Sequence, residues 1–565
     1  MSAVSRRRPR PVATPAETDV LVLGGGPAGT WAALAAAAGG QRVTLADKGY
    51  CGTSGSTAAA GNNLWYLPPD GDARSRAIAA RETAGGHLTD RRLMARVLDR
   101  TWQAVEQLTD WGYPFPVADD GTPRRASLQG PEYMRLMRRQ VRRAGVVILD
   151  QSPALELLVD PDGVVTGAAG VHRQRGGEPW RVRAGAVVLA TGGCAFRSGA
   201  LGLNVDTGDG ALMAAELGAE LSGMEFSCQY GTAPAFGAQT KGLMYQFAVF
   251  TDADGAELAS AAFPGGLLDV QRAALHTQVY ARLERAQPHL REAMRWSQPN
   301  FFLPFDKLGI DPFTQRFPVR FVMEGTVRGT GGLRVVDDGC ATTVPGLFAA
   351  GDAASRELVT GAISGGGSHN GSWAISSGSW AGAAAARFAA RRPAGWPSAP
   401  LAPAGGAGLR ARAGRGDLRH EEVVAAVQER VLPLRHNRFR TAADLRESLA
   451  VLDSLWSAVV DGLAPDDDAH SITPTREAAA MLAHARWMYR GALSRPESRG
   501  LQVRLDRPRT DPALAHRIRV GGLDQVWTAA ESATAAESAT AGSATATTGS
   551  GAVPGVRRPE EVPAL

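Results

Sequence analysis

The sequence predicts an α/β fold in which a parallel sheet carries a nucleotide-binding turn and a helical region follows. Three observations support this: an apolar run that ends in a glycine-rich turn, two later apolar runs with similar endings, and helical periodicity beyond residue 417. The 565 residues exceed the roughly 250 to 300 that one hydrophobic core organises, so several domains are expected. Glycine is abundant, 67 of 565 residues or about 12% against an average of roughly 7%, and is therefore either linker or closely approached backbone.

The most specific motif lies near the start of the chain. Residues 18–23 form a predicted buried strand, residues 30–38 a helix and residues 42–46 a second strand. The glycines between the first strand and the helix fit G-x-G-x-x-G, which combines a tight turn, close approach of a pyrophosphate and close helix packing. Asp47 ends the second strand, where an acid binds ribose hydroxyls. The unit predicts a Rossmann-like dinucleotide site with contacts from Gly24, Gly26, Pro27, Ala28, Gly29 and Asp47.

A long run of small residues at 48–61 favours FAD over NAD as the bound dinucleotide. A bare NAD domain does not need such a run, whereas small side chains and free amides suit an extended FAD that lies against the chain. The alternative interpretation is a flexible surface loop. The contacts predicted here are Lys48, Thr53, Ser54, Ser56, Thr57, Gly61 and Asn62.

Two later strands end in the same way. Residues 186–190 lead into Thr191 and Gly192, and residues 346–350 lead into Gly351 and Asp352. Ligands of open α/β sheets lie at the carboxyl ends of the strands, so all four residues are predicted FAD contacts. Asp352 is placed to accept a hydrogen bond from a ribityl hydroxyl or to support the pyrophosphate region.

These segments together resemble the two-domain FAD flavoproteins of the fumarate reductase and succinate dehydrogenase superfamily, which also holds L-aspartate oxidase and the adenylylsulfate reductase alpha subunit. The Ala-Thr-Gly-Gly turn at 190–193 and Pro-Gly-Leu-Phe-Ala-Ala-Gly-Asp at 345–352 carry the resemblance, with Thr-Gly-Asp-Gly at 207–210 and Arg-Pro-Glu-Ser-Arg-Gly at 495–500. It covers about residues 19–520. It adds Asp209 and Ser376 to the predicted FAD contacts.

The resemblance implies a Rossmann-like FAD-binding domain with an inserted α+β capping domain and a helical C-terminal domain. Helical patterns at 421–432, 442–460 and 475–489 agree with the last of these. The predicted organisation is a disordered leader at 1–17, the FAD-binding domain at 18–222 and 326–390, the capping domain at 223–325, a linker at 391–416, the helical domain at 417–527 and a disordered tail at 528–565.

Departures from the family pattern narrow the expected chemistry. Residues 51–61 lack the histidine through which succinate dehydrogenases attach FAD, so FAD is expected to bind non-covalently. Where dicarboxylate enzymes carry two substrate-binding histidines, this chain has Val327 and Tyr230, and the arginine of R-x-G-G-N-S is missing from residues 364–370. Fumarate and succinate are therefore not expected as substrates. Residues 368–379 are more similar to the H-K-F-S-S-G-S loop of adenylylsulfate reductase alpha subunits.

Four residues are candidates for catalysis. His369 lies in a glycine-dense segment, predicted as a loop at 361–382, and is a candidate both for the reaction and for contact with FAD. Arg356 and Arg328 could stabilise an anionic substrate, and Tyr230 occupies a substrate position of the family. The alternatives are a packed histidine and arginines that are solvated or serve as structural ties.

Composition excludes several other classes. A net charge of +5 over 565 residues does not indicate nucleic-acid binding, and no apolar run reaches the ~18 residues of a membrane-spanning helix. Four scattered cysteines without a C-x-x-C pair predict no metal site and fit a reducing cytoplasm. The leading hypothesis is an FAD oxidoreductase for a small anionic substrate, which exchanges electrons with a separate iron–sulfur, ferredoxin-like protein. The alternatives are a stand-alone dehydrogenase or oxidase of an organic acid and a flavin-binding redox sensor or scaffold.

Overall fold

Parallel strands at the centre of a large mixed sheet position the glycine-rich turn. The computed structural model describes residues 13–118, 120–240, 243–258, 267–393, 396–398 and 400–531. Most of the predicted leader and tail, residues 1–12 and 532–565, lies outside the described residues.

The strands of the described residues are numbered in chain order. They are β1 (Glu17–Leu23), β2 (Val43–Ala46), β3 (Gly61–Asn63), β4 (Ser127–Gln129), β5 (Val147–Leu149), β6 (Ala154–Val159), β7 (Val165–His172), β8 (Glu178–Leu189), β9 (Leu221–Ser222), β10 (Gln229–Pro234), β11 (Val249–Thr251), β12 (Tyr280–Arg282), β13 (Phe317–Glu324), β14 (Gly332–Leu333), β15 (Leu347–Ala349), β16 (Ala402–Pro403), β17 (Phe439–Arg440), β18 (Val503–Arg504), β19 (Ile518–Gly521) and β20 (Trp527–Ala530).

The α-helices of the same residues follow. They are α1 (Pro27–Ala38), α2 (Gly71–Ala84), α3 (Arg91–Asp110), α4 (Gly130–Arg143), α5 (Asp209–Ala215), α6 (Leu267–Ala273), α7 (Pro288–Ser297), α8 (Pro299–Leu308), α9 (Gly325–Arg328), α10 (Glu357–Thr360), α11 (Ser368–Ala390), α12 (His420–Val431), α13 (Leu434–Asn437), α14 (Ala442–Gly462) and α15 (Ile472–Ser494).

The large sheet has the strand order β16-β6-β7-β8-β1-β2-β5, with β15 paired to β8. Strands β15, β8, β1, β2 and β5 run parallel, while β6 and β7 form an antiparallel meander with the first half of β8. The predicted turns after β1, β8 and β15 therefore meet at one edge of the sheet. Helices α1 and α11 pack on each other and on this sheet. This arrangement confirms the predicted α/β class with a Rossmann-like FAD-binding domain.

Helix α11 corrects the prediction of a loop at 361–382. The helix begins at Ser368 and continues through Gly378 and Gly382. Its glycines reflect packing rather than flexibility: a Cβ added to Gly378 would lie 2.3 Å from the Ala28 carbonyl oxygen, and one added to Gly382 would lie 2.1 Å from that of Ala32. Close contact with α1 thus overrides the weak helix propensity of glycine and serine.

The inserted segment forms an antiparallel sheet with the order β10-β13-β12-β11, packed with α6 to α8. Its own apolar core includes Phe301, Phe305 and Phe317, all fully buried. Asn300 reaches out of this core and donates a hydrogen bond of 3.0 Å to the carbonyl oxygen of Ala59. The α+β insertion therefore contacts the small-residue run of the FAD-binding domain.

The C-terminal region contains the three predicted helices as α12, α14 and α15, but two segments differ from expectation. The predicted linker contributes β16, which pairs with β6, and the Gly405 amide donates to Glu156 over 3.2 Å, so this segment is fastened to the sheet. The predicted tail contributes most of β20, which pairs with β19. Short strands without apolar alternation left no signal for either pairing. Among the described residues, no helix has both the length and the apolar character needed to cross a membrane.

Replacement of Gly378 by alanine should destabilise the protein. The added methyl group meets backbone rather than a movable side chain, and overpacking of this kind costs about 1–3 kcal/mol. The free energy of unfolding from urea titration measures the loss. The matched control is Gly71→Ala at the exposed start of α2, where an added Cβ meets nothing within 4 Å and no loss is expected. Equal stability of the two variants would contradict the packing role of Gly378.

Candidate active site

A cleft opens where the parallel strands end, bounded by the turns of the FAD-binding domain and by the chain returning from the capping domain. Most of the predicted cofactor contacts converge there. Those that line the cleft are Gly24, Gly26, Pro27, Ala28, Asp47, Lys48, Ser54, Ser56, Thr57, Asn62, Thr191, Gly192, Asp209, Gly351 and Asp352.

The three glycines of the first turn have different surroundings. Gly24 has a φ of +108° and an added Cβ would lie 2.1 Å from the Ala190 carbonyl oxygen, whereas one on Gly29 would lie 1.8 Å from that of Gly24. Gly29 therefore packs the helix against the turn and does not line the cleft. An added Cβ on Gly26, at the N-terminus of α1, meets nothing within 4 Å. Gly26 leaves open the space in which a pyrophosphate can approach the backbone and the helix N-terminus.

Asp47 is almost fully buried at the end of β2. Its carboxylate accepts hydrogen bonds from the Gly25 amide at 2.6 Å, the Gly49 amide at 2.7 Å and the Ser54 hydroxyl at 2.9 Å. Burial raises the pKa of Asp47, and these three donors offset part of the rise. The carboxylate thus holds the glycine turn and the small-residue run together at the predicted ribose position.

Lys48 and Asp209 line the cleft but bind each other. The Lys48 Nζ lies 2.6 Å from Asp209 Oδ2 and also donates to Glu477 and Thr207. Lys48 therefore belongs to an internal ion network at the cleft wall.

On the opposite side, α11 supports the turn after β15. The Ser377 hydroxyl accepts a 3.0 Å hydrogen bond from the Gly351 amide. Its neighbour Ser376, predicted to contact FAD, does not line the cleft: it is fully buried with its hydroxyl 3.5 Å from the Val97 carbonyl oxygen.

Two further predicted contacts also lie away from the cleft lining. Thr53 is exposed, and its hydroxyl is directed to the Tyr50 carbonyl oxygen at 3.4 Å. Gly61 pairs with Gln129 in the β3–β4 ribbon. All small residues of a turn look alike in the sequence. The sequence therefore does not distinguish residues that line the cleft from residues that only shape the turn.

Arg356 has a structural role instead of the predicted catalytic one. It is completely buried, donates to the backbone carbonyls of Gly329, Thr326 and Val327 at 2.6–2.8 Å, and pairs with Asp352. These contacts occupy its guanidinium. Arg356 therefore positions Asp352 and the returning chain.

His369 and Tyr230 are also displaced from the predicted catalytic positions. The His369 ring lies 4.5 Å from the Trp65 ring, its Nδ1 is 3.1 Å from the Gly365 carbonyl oxygen, and burial together with Arg81 lowers its pKa to about 3. Tyr230 is fully buried and donates to the Val431 carbonyl oxygen over 2.8 Å, which ties the capping domain to the end of α12. Neither residue lines the cleft.

Arg328 is the predicted catalytic candidate that does line the cleft. Its Nε has no hydrogen-bond partner among the described residues and lies 3.8 Å from Glu324 Oε2. Glu324 is fully buried and accepts a 2.8 Å hydrogen bond from the Thr240 hydroxyl. Arg328 thus brings a loosely paired positive charge from the capping-domain return to the cleft.

Asn370 is a cleft residue that sequence reasoning missed. It lines the cleft from the first turn of α11, and both polar atoms of its side chain are buried without a hydrogen-bond partner among the described residues. The hydroxyl of Thr191, on the other wall, is in the same state. Its sequence signal is weak, because Asn370 follows a run of three glycines from which Ser368 and His369 separate it.

The open space at Gly26, the unpaired polar atoms of Thr191 and Asn370, and the free N-terminus of α1 fit an extended dinucleotide. A cleft with this lining at the carboxyl ends of the parallel strands is typical of dinucleotide-binding proteins.

Comparison with known proteins agrees with this class. A family model described as an FAD binding domain matches residues 19–369, and one described as the fumarate reductase flavoprotein C-terminus matches residues 429–539. The chain belongs to the FAD-binding flavoprotein family of fumarate reductases and succinate dehydrogenases, whose members are FAD-dependent oxidoreductases, and it binds FAD.

Individual relatives are more distant. The chain is 28% identical to the fumarate reductase flavoprotein subunit of Mycobacterium tuberculosis over 89% of this chain and 94% of that protein. It is 28% identical to L-aspartate oxidase of Streptomyces coelicolor over 60% of this chain, and that match spans 63% of the oxidase.

Solved structures share the fold. E. coli quinol fumarate reductase superposes with a TM-score of 0.76 at 22% identity, covering 91% of this chain and 96% of that chain. An adenosine-5-phosphosulfate reductase in complex with sulfite superposes with a TM-score of 0.72 at 19% identity, covering 93% of this chain and 98% of that chain.

Replacement of Gly26 by alanine should separate folding from cofactor binding. The backbone of Gly26 is extended, and its added Cβ meets no protein atom, so the free energy of unfolding without FAD should stay within about 0.5 kcal/mol of wild type. The affinity for FAD should fall at least about tenfold because the methyl group enters the space of the pyrophosphate. Quenching of flavin fluorescence measures the affinity. Wild-type affinity in this variant would place the pyrophosphate elsewhere.

Proposed function

We propose that the chain transfers a hydride or electrons between FAD and a small anionic substrate, and that it exchanges electrons with a separate iron–sulfur, ferredoxin-like protein. The observation that carries this proposal is Arg328, which lines the cleft and whose Nε, among the residues that the structure describes, has no hydrogen bond and lies 3.8 Å from Glu324 Oε2. A planar guanidinium binds carboxylates and other oxyanions through two parallel N–H groups.

The names of similar proteins support an anionic substrate. L-aspartate, fumarate and adenosine-5-phosphosulfate are all small anions. Bound FAD supplies the redox chemistry, while the protein orients the substrate and stabilises its charge. Arg328 would hold the anion at the cleft, and Asn370 would donate or accept one further hydrogen bond.

The surroundings of the cleft disfavour a dicarboxylate. Tyr230 stands where dicarboxylate enzymes of the family have one of two substrate-binding histidines, but its hydroxyl donates to the Val431 carbonyl oxygen. Val327, at the other, has no hydrogen-bonding side chain. A substrate with one anionic group near Arg328 therefore fits better than one with two carboxylates.

The proposal of an iron–sulfur partner rests on the resemblance to adenylylsulfate reductase alpha subunits and on the cysteines. Cys51, Cys194, Cys228 and Cys340 are all buried and unpaired, and no cluster of metal-ligating side chains occurs within the described ranges. An electron acceptor with a metal cluster would then be another polypeptide. A stand-alone oxidase or dehydrogenase of an organic acid is the second candidate, because one of the similar proteins is named L-aspartate oxidase.

Arg328→Gln should slow the reaction with the substrate while the protein keeps its FAD. Loss of one charged donor at a reacting anion costs about 100-fold in rate. Bleaching of the flavin absorbance near 450 nm is followed without oxygen after addition of sulfite with AMP, L-aspartate or succinate in turn. The matched control is Arg320→Gln, whose exposed guanidinium donates to the Gly237 carbonyl oxygen on the outside of the capping domain. Equal rates in the two variants would remove Arg328 from the proposed site.

Reoxidation of the reduced flavin distinguishes the two candidate functions. The proposal predicts slow reoxidation in air and fast reoxidation by a small iron–sulfur protein, measured by recovery of the flavin absorbance. Rapid formation of one equivalent of hydrogen peroxide without any partner would favour the stand-alone oxidase.

A further inference from the structure

A buried ion network crosses the wall between the FAD cleft and the helical C-terminal region. The Lys48 Nζ lies 2.6 Å from Asp209 Oδ2, 2.8 Å from Glu477 Oε1 and 2.7 Å from the Thr207 hydroxyl. The second carboxylate oxygen of Glu477 pairs with Arg197. Side-chain exposure is 16% for Lys48, 13% for Asp209 and 11% for Glu477, so water screens these contacts weakly.

The charges of this network balance. Lys48 and Arg197 contribute two positive charges, and Asp209 and Glu477 contribute two negative ones. Burial alone would lower the pKa of Lys48, but the two carboxylates outweigh it and raise that pKa, while Lys48 and Arg197 keep the pKa of Glu477 low. Removal of one member would leave an uncompensated charge in a poorly solvated wall.

Lys48 connects this network to Asp47, the predicted ribose-binding acid. It follows Asp47 directly, and the Gly49 amide donates to the Asp47 carboxylate over 2.7 Å. The Lys48 side chain is therefore anchored in the middle of a turn whose two neighbouring residues form part of the predicted ribose site. Anchoring one side chain restricts the backbone on both sides of it.

Helix α15 supplies Glu477 from a firmly packed surface. Arg476 of the same helix donates to Glu216 at 2.8 Å between Nη1 and Oε1, both side chains being buried. Further along the same helix, His484 packs against Gly208, where an added Cβ would lie 2.3 Å from the imidazole. Glu477 thus reaches the cleft wall from a helix that is fixed against both ends of α5.

We propose that Glu477 is a positioning residue for FAD binding: it acts through Lys48 to hold the Asp47 turn in the conformation that receives the adenosine end of the cofactor. The proposal depends on FAD binding and not on the identity of the substrate. It gives the helical C-terminal region a part in cofactor affinity, although Glu477 itself lies behind the cleft wall.

The test measures the dissociation constant of FAD by flavin fluorescence for the full chain. Glu477→Gln should raise this constant about tenfold or more, because Lys48 loses one of its two carboxylates. Glu477→Asp keeps the charge on a shorter side chain and should give an intermediate value, and it carries the test if the glutamine variant does not fold. The control is Asp453→Asn, which removes the carboxylate 2.6 Å from Arg486 on the side of α15 that faces α14. This control should lower the melting temperature of the FAD-free chain and leave FAD affinity unchanged.

A double-mutant cycle separates positioning from general loosening. If Glu477 acts through Lys48, Glu477→Gln should add less than about twofold to the FAD dissociation constant of a Lys48→Met protein. An undiminished effect in that background would overturn the proposal, as would wild-type affinity in Glu477→Gln and Glu477→Asp. Failure of the wild-type chain to bind FAD would overturn the flavoprotein assignment itself. Equal FAD affinity in the wild type and in the Glu477 variants would overturn only the positioning role of Glu477.

Discussion

Close backbone contact around α1 is the constraint on which the site depends. The first turn of α1 must lie against β8, against the turn after β15 and along α11, and each of these contacts uses glycine. An added Cβ would approach a backbone oxygen within about 2.3 Å at Gly24, Gly29, Gly378 and Gly382. Because these four positions admit no side chain, the N-terminus of α1 is held at the edge of the sheet. The same edge receives the turns after β8 and β15, so the packing that seats α1 also shapes the cleft.

Buried arginines join the C-terminal region to the rest of the protein. Arg495 is fully buried and donates to Glu225 at the entry to the capping domain, at 2.8 Å, and to Glu497 at 3.0 Å. Arg499 then binds Glu497 and the Gly86 carbonyl oxygen. The Arg-Pro-Glu-Ser-Arg-Gly segment, which carried part of the family resemblance, therefore joins the C-terminal region to the capping-domain entry and to the FAD-binding domain. Such charges are costly to bury unless every donor is satisfied, and so the motif tolerates little change.

The sequence predicted the parts of the site that depend on backbone and missed those that depend on burial. Strand, glycines and acid at 18–47 follow from local rules, and in the structure Gly26 and Asp47 line the cleft. The roles of Arg356, His369 and Tyr230 could not be predicted in this way. Each is a polar residue near a predicted turn, and only the three-dimensional packing shows that carbonyl oxygens or aromatic rings occupy it. The prediction of a loop at 361–382 is wrong from Ser368 onward, because local propensity carries no information about the helix packed against α11.

Arg356 and Arg328 show that hydrogen bonding, rather than position in a motif, indicates which arginine could bind a substrate. Both arginines border the chain that returns from the capping domain. Arg356 is surrounded by three carbonyl oxygens and a carboxylate, so an added anion would have to displace bonds already made. Arg328 lines the cleft, and within the described part of the chain its Nε makes no hydrogen bond and lies 3.8 Å from Glu324 Oε2, so an anion could bind it without breaking a hydrogen bond of that Nε. Arg328 lies where the chain returns from the capping domain, and Lys48 is bound by Glu477 of α15, so segments far from the glycine-rich turn contribute to the cleft wall. The glycine-rich turn supplies the cradle, whereas the substrate charge proposed for Arg328 and the anchor proposed for the Asp47 turn come from other parts of the chain.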